Sequence, residues 1–127
     1  MNQEQLTKET LSVEALNDLI LDSIQDIKGN DIVKLDLRQL TEAPTDFFII
    51  CHGNSDTQVK AIASNIMKEL KTKAGENVFH VEGQTNGTWV LLDYFNTIIH
   101  VFHHETRKFY NLEGLWSDAI STEYGNL

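Results

Sequence analysis

The chain is poor in residues that staple, punctuate or span. Its 127 residues include one cysteine, Cys51, and one proline, Pro44. A lone cysteine cannot form an intrachain disulfide, and a reducing compartment is its natural setting. Long apolar runs are missing too: a stretch such as Phe47 to Cys51 falls far short of the ~20 residues a spanning helix needs. Between the initiator and Thr10 only Leu6 is a large aliphatic residue, so no signal-peptide core and a cytoplasmic location are expected. Basic residues are scarce, ten against nineteen acidic ones, for a formal net charge of −9. That deficit argues against phosphate-driven nucleic-acid binding, which depends on Lys and Arg displacing counterions. No direct nucleic-acid specificity and no membrane association are expected. The acidity suits a basic protein partner through electrostatic steering; it serves solubility equally well.

What is present is ordinary for a globular protein: 41% hydrophobic and 23% charged residues. The length fits one domain that buries roughly two thirds of its unfolded surface without a disulfide or metal. Neither repeats nor low-complexity segments occur. Residues 1–10 and 120–127 read as flexible tails, with polar character setting in from about Ser117, around a domain spanning 11–119.

Hydrophobic periodicity predicts the elements. Val13, Leu16, Ile20, Ile24 and Ile27 mark a helix over 13–28, with Ser12 to cap it and Gly29 to close it. Asp31 to Arg38 alternates, Val33, Leu35 and Leu37 on one side, as a half-buried strand does. Phe47 to His52 is nearly continuous in apolar residues, which suits a central strand. After Gly53-Asn54, Ser55 and Gln58 have capping-box spacing, and Val59, Ile62, Ile66 and Leu70 mark a second helix ending near Ala74-Gly75. Val78 to Glu82, Thr88 to Tyr94 and Thr97 to His103 are strands separated by short gaps, hence an antiparallel meander. Phe109, Leu112 and Trp116 give a third, short helix from about Glu105. The order αββαβββα predicts an α/β single domain with a five-stranded mixed sheet, and a right-handed crossover through the second helix.

Candidate chemistry is sparse. His100, His103 and His104 cluster, but strand alternation separates His103 from His100. Zinc needs three or four converging ligands. His80, His100 and Asp93 on adjacent strands are the best available set, and hydrogen-bonded or surface histidines are the simpler reading. No metal or cofactor is expected. The Gly53-Asn54-Ser55 turn before a helix resembles a phosphate-holding turn of nucleotidyltransferases. Two-metal chemistry needs paired carboxylates, yet the following strand offers Glu82 without an Asp-x-Asp pair, so the turn reads as a helix cap. Cys51 and His52 are sequence neighbours on a strand and point to opposite faces. That leaves Cys51 a buried small hydrophobe.

The meander says more. Trp89, Leu91 and Asp93 share one face of their strand, Val90, Leu92 and Tyr94 the other. With so few helices to cover the sheet, one face is expected to stay partly open, presenting Trp89 and Leu91 beside Asp93 and His80 or Glu82. A large aromatic among acidic groups is what a protein-binding hot spot looks like, although Trp89 fits a plain core position equally well.

Several segments resemble the ribosomal silencing factor family, also called RsfS or Iojap. They are Asp31 to Leu37, Thr45 to Cys51, Gly53 to Val59, Val81-Glu82-Gly83, Trp89 to Tyr94, His100 to His103 and Arg107 to Trp116, and the resemblance as a whole extends over roughly residues 13–119 in the family's order and spacing. The resemblance implies a nucleotidyltransferase-like core without the catalytic carboxylates, and a regulator rather than an enzyme. It implies binding to the large ribosomal subunit through ribosomal protein L fourteen, blocking subunit association and repressing translation under nutrient limitation. It also implies a homodimer. Carried over by position, the partner-binding residues are Glu82, Trp89, Asp93 and Tyr94, with His100 and Tyr110. Strict alternation, however, sends Tyr94 to the face opposite Trp89. The chain departs from the family at Phe95, often glycine, and near His52, often small. The alternatives are an assembly factor on the same ribosomal protein, or a divergent nucleotide-binding enzyme using Gly53, Ser55 and Glu82.

Overall fold

The computed structural model describes residues 12–125. Ser12, in extended conformation, accepts a hydrogen bond from the Ala15 amide and so caps α1 (Val13–Asp26). The helix ends in a Schellman motif: Lys28 takes φ 58°, and the amides of Lys28 and Gly29 donate to the carbonyls of Gln25 and Ile24. Gly29 closes the helix through space rather than handedness, since a β-carbon there would collide with Ile24 Cγ2.

Two antiparallel strands follow, β1 (Asn30–Asp36) and β2 (Phe47–Gly53), joined by the segment containing Pro44. Every residue of β2 is buried, as its continuous apolar run requires. Helix α2 (Asp56–Ala74) starts where the Ser55 hydroxyl accepts from the Gln58 amide at 3.1 Å. The Gln58 side chain reaches back to the amide of Asn54, at 2.8 Å, one residue beyond the usual capping box. The meander β3 (His80–Glu82), β4 (Trp89–Asp93) and β5 (Thr97–His103) then returns the chain to β2, with β5 parallel to it.

The C-terminal part departs from expectation twice. The third helix is broken: α3 (His104–Tyr110) and α4 (Leu112–Leu115) meet at Asn111, which takes the left-handed φ of 46°. Phe109 is thereby separated from Leu112 and Trp116 and left 81% exposed, while Leu112 is buried. The segment 120–127, expected as a flexible tail, contains a sixth strand, β6 (Ile120–Tyr124), antiparallel to β1. The sheet therefore has six strands, not five, in the order β3-β4-β5-β2-β1-β6. The N-terminal segment 1–10, also expected as a tail, lies outside the described residues.

The two faces of the sheet are covered unequally. On one, α1 and α2 pack Ile20, Ile24, Ile62, Ile66 and Leu70 against Ile49, Cys51, Val90, Leu92, Ile99 and Val101. On the other, a smaller cluster of Val33, Leu35, Leu37, Phe48, Ile50, Phe102 and Leu112 is covered by the β1–β2 connection and by α4 with Trp116. That second cover stops short of β3 and β4.

Candidate functional site

The uncovered area is a grid set by strand register. His80 pairs with Asp93 and Asp93 with Ile98; Glu82 pairs with Leu91 and Leu91 with His100; Trp89 pairs with Phe102. Directly paired residues share a face, so His80, Glu82, Trp89, Leu91, Asp93, His100 and Phe102 all project to the less covered side. The outer members are accessible: Glu82 and His80 are exposed, and Trp89, Leu91 and Asp93 are half-buried. The expected grouping of Trp89, Leu91 and Asp93 with His80 and Glu82 is the observed one. His80 Nε2 lies 3.4 Å from Glu82 on its own strand. Among the described residues no group of three His, Cys, Asp or Glu side chains is placed to hold a metal ion.

Trp89 is the centre of an aromatic cluster. Its ring centroid lies 4.8 Å from Phe102, its paired neighbour on β5, 4.8 Å from Tyr110 on α3 and 5.9 Å from His100. The indole Nε1–H donates to His100 Nδ1 at 3.1 Å. Tyr110 is 49% exposed, and Phe109 meets it edge-on at 5.1 Å. Thr88, Trp89, Glu105, Thr106, Phe109 and Tyr110 line a shallow cleft of about 440 Å³. Phe109 escaped sequence reasoning, because helical spacing placed it with Leu112 and Trp116; only the Asn111 break turns it outward.

Two expected site residues are buried. His100 belongs to the grid but is only 4% exposed, so almost none of its side chain reaches the surface; burial lowers its pKa to about 4. Tyr94 is a correction. It is 6% exposed and packs into the core under α1 and α2, as alternation from Trp89 demands, and burial with nearby Glu76 pushes its phenol up to about 12. The surface set is therefore Glu82, Trp89, Leu91, Asp93, Phe109 and Tyr110.

At the C-terminal ends of the parallel strands β2 and β5, a buried arginine holds α3 to the sheet. Arg107 places one guanidinium nitrogen 2.9 Å from His52 Nδ1 and 3.4 Å from the Asn30 carbonyl, and the other 3.0 Å from Glu113. His52 is held below its ordinary pKa by burial first and by Arg107 second. Cys51 faces away into the helix-covered core, where burial raises its thiol to about 12 and leaves it inert. The residues of the enzymatic alternative do not converge: β4 and β5 lie between β2, which carries Gly53, and β3, which carries Glu82. The Ser55 hydroxyl is used as a helix cap.

Known proteins share this sequence pattern and fold. Residues 10–127 match the family model described as "Ribosomal silencing factor during starvation". The chain is 38% identical over 113 residues to the ribosomal silencing factor RsfS of Halalkalibacterium halodurans, covering 89% of this chain and 95% of that protein. It is 45% identical over 97 residues to the RsfS of Bacillus subtilis, covering 74% and 78%. A crystal structure of a Chromobacterium violaceum protein superposes with a TM-score of 0.79 at 35% identity, covering 84% of this chain and 87% of that one. With a match across nearly its whole length, an aligned fold and identities well above the level of fold likeness alone, the chain belongs to the ribosomal silencing factor family.

Proposed function

We propose that this protein binds the large ribosomal subunit through ribosomal protein L fourteen and sterically prevents the small subunit from joining, so that translation is repressed when nutrients are limiting. The action is cytoplasmic and regulatory rather than catalytic. The observation that carries the reading is the Trp89 face. A large aromatic, half-buried and packed on Phe102 and Tyr110, stands on an uncovered part of the sheet beside Leu91, with Glu82 and Asp93 around it.

Such a face has the anatomy of a binding hot spot: a rigid aromatic anchor within a polar rim. The rim is acidic and the whole chain carries −9, which favours a basic ribosomal protein and speeds the encounter. Family membership supports the ribosome as the partner. No chemistry is required of the bound factor; occupying the subunit interface suffices.

Trp89→Ala tests the face. Truncating a central aromatic anchor commonly costs about 2 kcal/mol or more of binding, roughly thirtyfold in affinity. Cosedimentation with purified large subunits should fall by that order while the circular dichroism spectrum stays that of the wild type. A subunit-joining assay on a gradient tests the consequence. Joined ribosomes should be depleted by the wild type and restored with Trp89→Ala; equal joining with and without the wild-type protein would refute the silencing role.

A further inference from the structure

His100 is an unusual occupant of its site. It is 4% exposed on a strand whose buried neighbours Ile99, Val101 and Phe102 are apolar. One ring nitrogen, Nδ1, accepts from the Trp89 indole at 3.1 Å; the other, Nε2, is buried without a hydrogen-bond partner among the described residues. Because Nδ1 accepts, a neutral ring carries its proton on Nε2, and that donor is unpaired. An unpaired buried donor is unfavourable, and an apolar side chain of similar size would avoid it. Packing alone therefore does not account for an imidazole here; the bond to Trp89 does.

The imidazole is itself tightly held. The Phe48 ring meets it edge-on at 4.6 Å and 85°, and the Phe102 ring lies nearly parallel at 6.1 Å and 15°. The acceptor atom therefore has a fixed position, and the indole that donates to it is fixed in turn. The ring contacts with Phe102 and Tyr110 are not directional, whereas the hydrogen bond to Nδ1 favours one orientation of the indole. With its N–H satisfied internally, Trp89 presents only carbon surface to a partner.

We infer that His100 is a positioning residue for the ribosome-binding face: it touches no partner, but locks the Trp89 indole in its binding orientation before the encounter. The inference rests on the reading of the Trp89 face given above. Ordering an aromatic in advance removes an entropic penalty that association would otherwise carry. The same bond sets specificity, because the partner surface that meets Trp89 needs no acceptor for its N–H.

The test compares full-length His100→Phe, His100→Asn, Trp89→Ala and the Trp89→Ala/His100→Phe double variant. In the free protein, the Trp89 indole N–H is followed by NMR hydrogen exchange, with the Trp116 indole as internal reference. Binding is read by cosedimentation with purified large ribosomal subunits. His100→Phe should speed Trp89 exchange without affecting Trp116, and weaken binding by about three- to tenfold, the range for freezing one side chain. His100→Asn, whose amide oxygen can stand in for Nδ1, should recover part of both. The double variant should bind no worse than Trp89→Ala, since residues acting through one contact are not additive.

Wild-type binding by His100→Phe, together with lost binding by Trp89→Ala, overturns the positioning role and leaves the binding face standing. An equal further loss from His100→Phe in the Trp89→Ala background overturns it as well, by assigning His100 a general structural part. Unimpaired binding by folded Trp89→Ala removes the face itself and the inference with it. Should His100→Phe fail to fold, rapid exchange of the Trp89 indole in the wild type would overturn the lock directly.

Discussion

Acid should destabilise this protein through His100 in a calculable way. The folded state holds the ring neutral, with a pKa of about 4 set by burial, whereas an unfolded histidine titrates near 6.5. Between those values the unfolded chain binds a proton that the folded protein refuses. Stability therefore rises with pH through this window and falls on acidification, and above about pH 6.5 the group makes no difference. A tenfold difference in proton affinity corresponds to about 1.4 kcal/mol, so the loss is about 2 kcal/mol at pH 5 and about 3 kcal/mol at pH 4. Against a typical total of 5–15 kcal/mol, that is a large fraction. Urea unfolding followed by circular dichroism at pH 7.5 and 5.0, for wild type and His100→Phe, isolates the effect. His52, also held below its ordinary pKa, titrates in both proteins and cancels. The wild type should lose about 2 kcal/mol more than the variant over that interval, with unchanged denaturant slopes. Equal losses would refute a buried neutral imidazole at this position.

Other perturbations test the frame of the face. Gly83→Ala should cost about 2 kcal/mol or more in urea unfolding, because Gly83 takes φ 84° and a β-carbon there would collide with the Trp89 carbonyl oxygen. Phe95 occupies φ 70° in the β4–β5 turn, its ring 4.2 Å from Phe79. Phe95→Gly should change stability by less than about 1 kcal/mol, relief of the backbone offsetting the lost ring pair. Phe95→Val should destabilise by about 1–2 kcal/mol, since a branched side chain tolerates that φ poorly. Arg107→Met should cost about 2–3 kcal/mol by stranding Glu113 and His52, and Arg107→Met/Glu113→Gln should recover part of the loss.

Most of the sheet was legible because its signals are local. Ser12 and Ser55 cap where their spacing predicts, and the alternation of Trp89 to Tyr94 assigns each side chain to its face, including the placement of Tyr94 away from Trp89. What stayed hidden depends on distant partners. Strand β6 has only Ile120 and Tyr124 as apolar residues and is exposed along most of its length; pairing with β1 holds it, and no periodicity announces that. The buried Arg107 looks like any helix-surface cation until His52, 55 residues away, comes beside it. Alternation puts His100 on the correct face, but its burial depends on Phe48 and Phe102 closing around it. The outward turn of Phe109 follows from a left-handed Asn111, a conformation that asparagine permits without requiring.

The central position of β2 has a consequence for how the chain is made. This strand, buried along its full length, finds β1 quickly by a short connection. Its other neighbour, β5, is synthesised only after α2, β3 and β4 have emerged. For that interval the most apolar segment of the protein has an open edge, a condition that favours pairing with other chains. Chains cut short before Thr97 would keep that edge permanently, and should be found among aggregates or under the care of chaperones. A sheet that closes only when β5 arrives thus passes its most vulnerable moment before synthesis is complete.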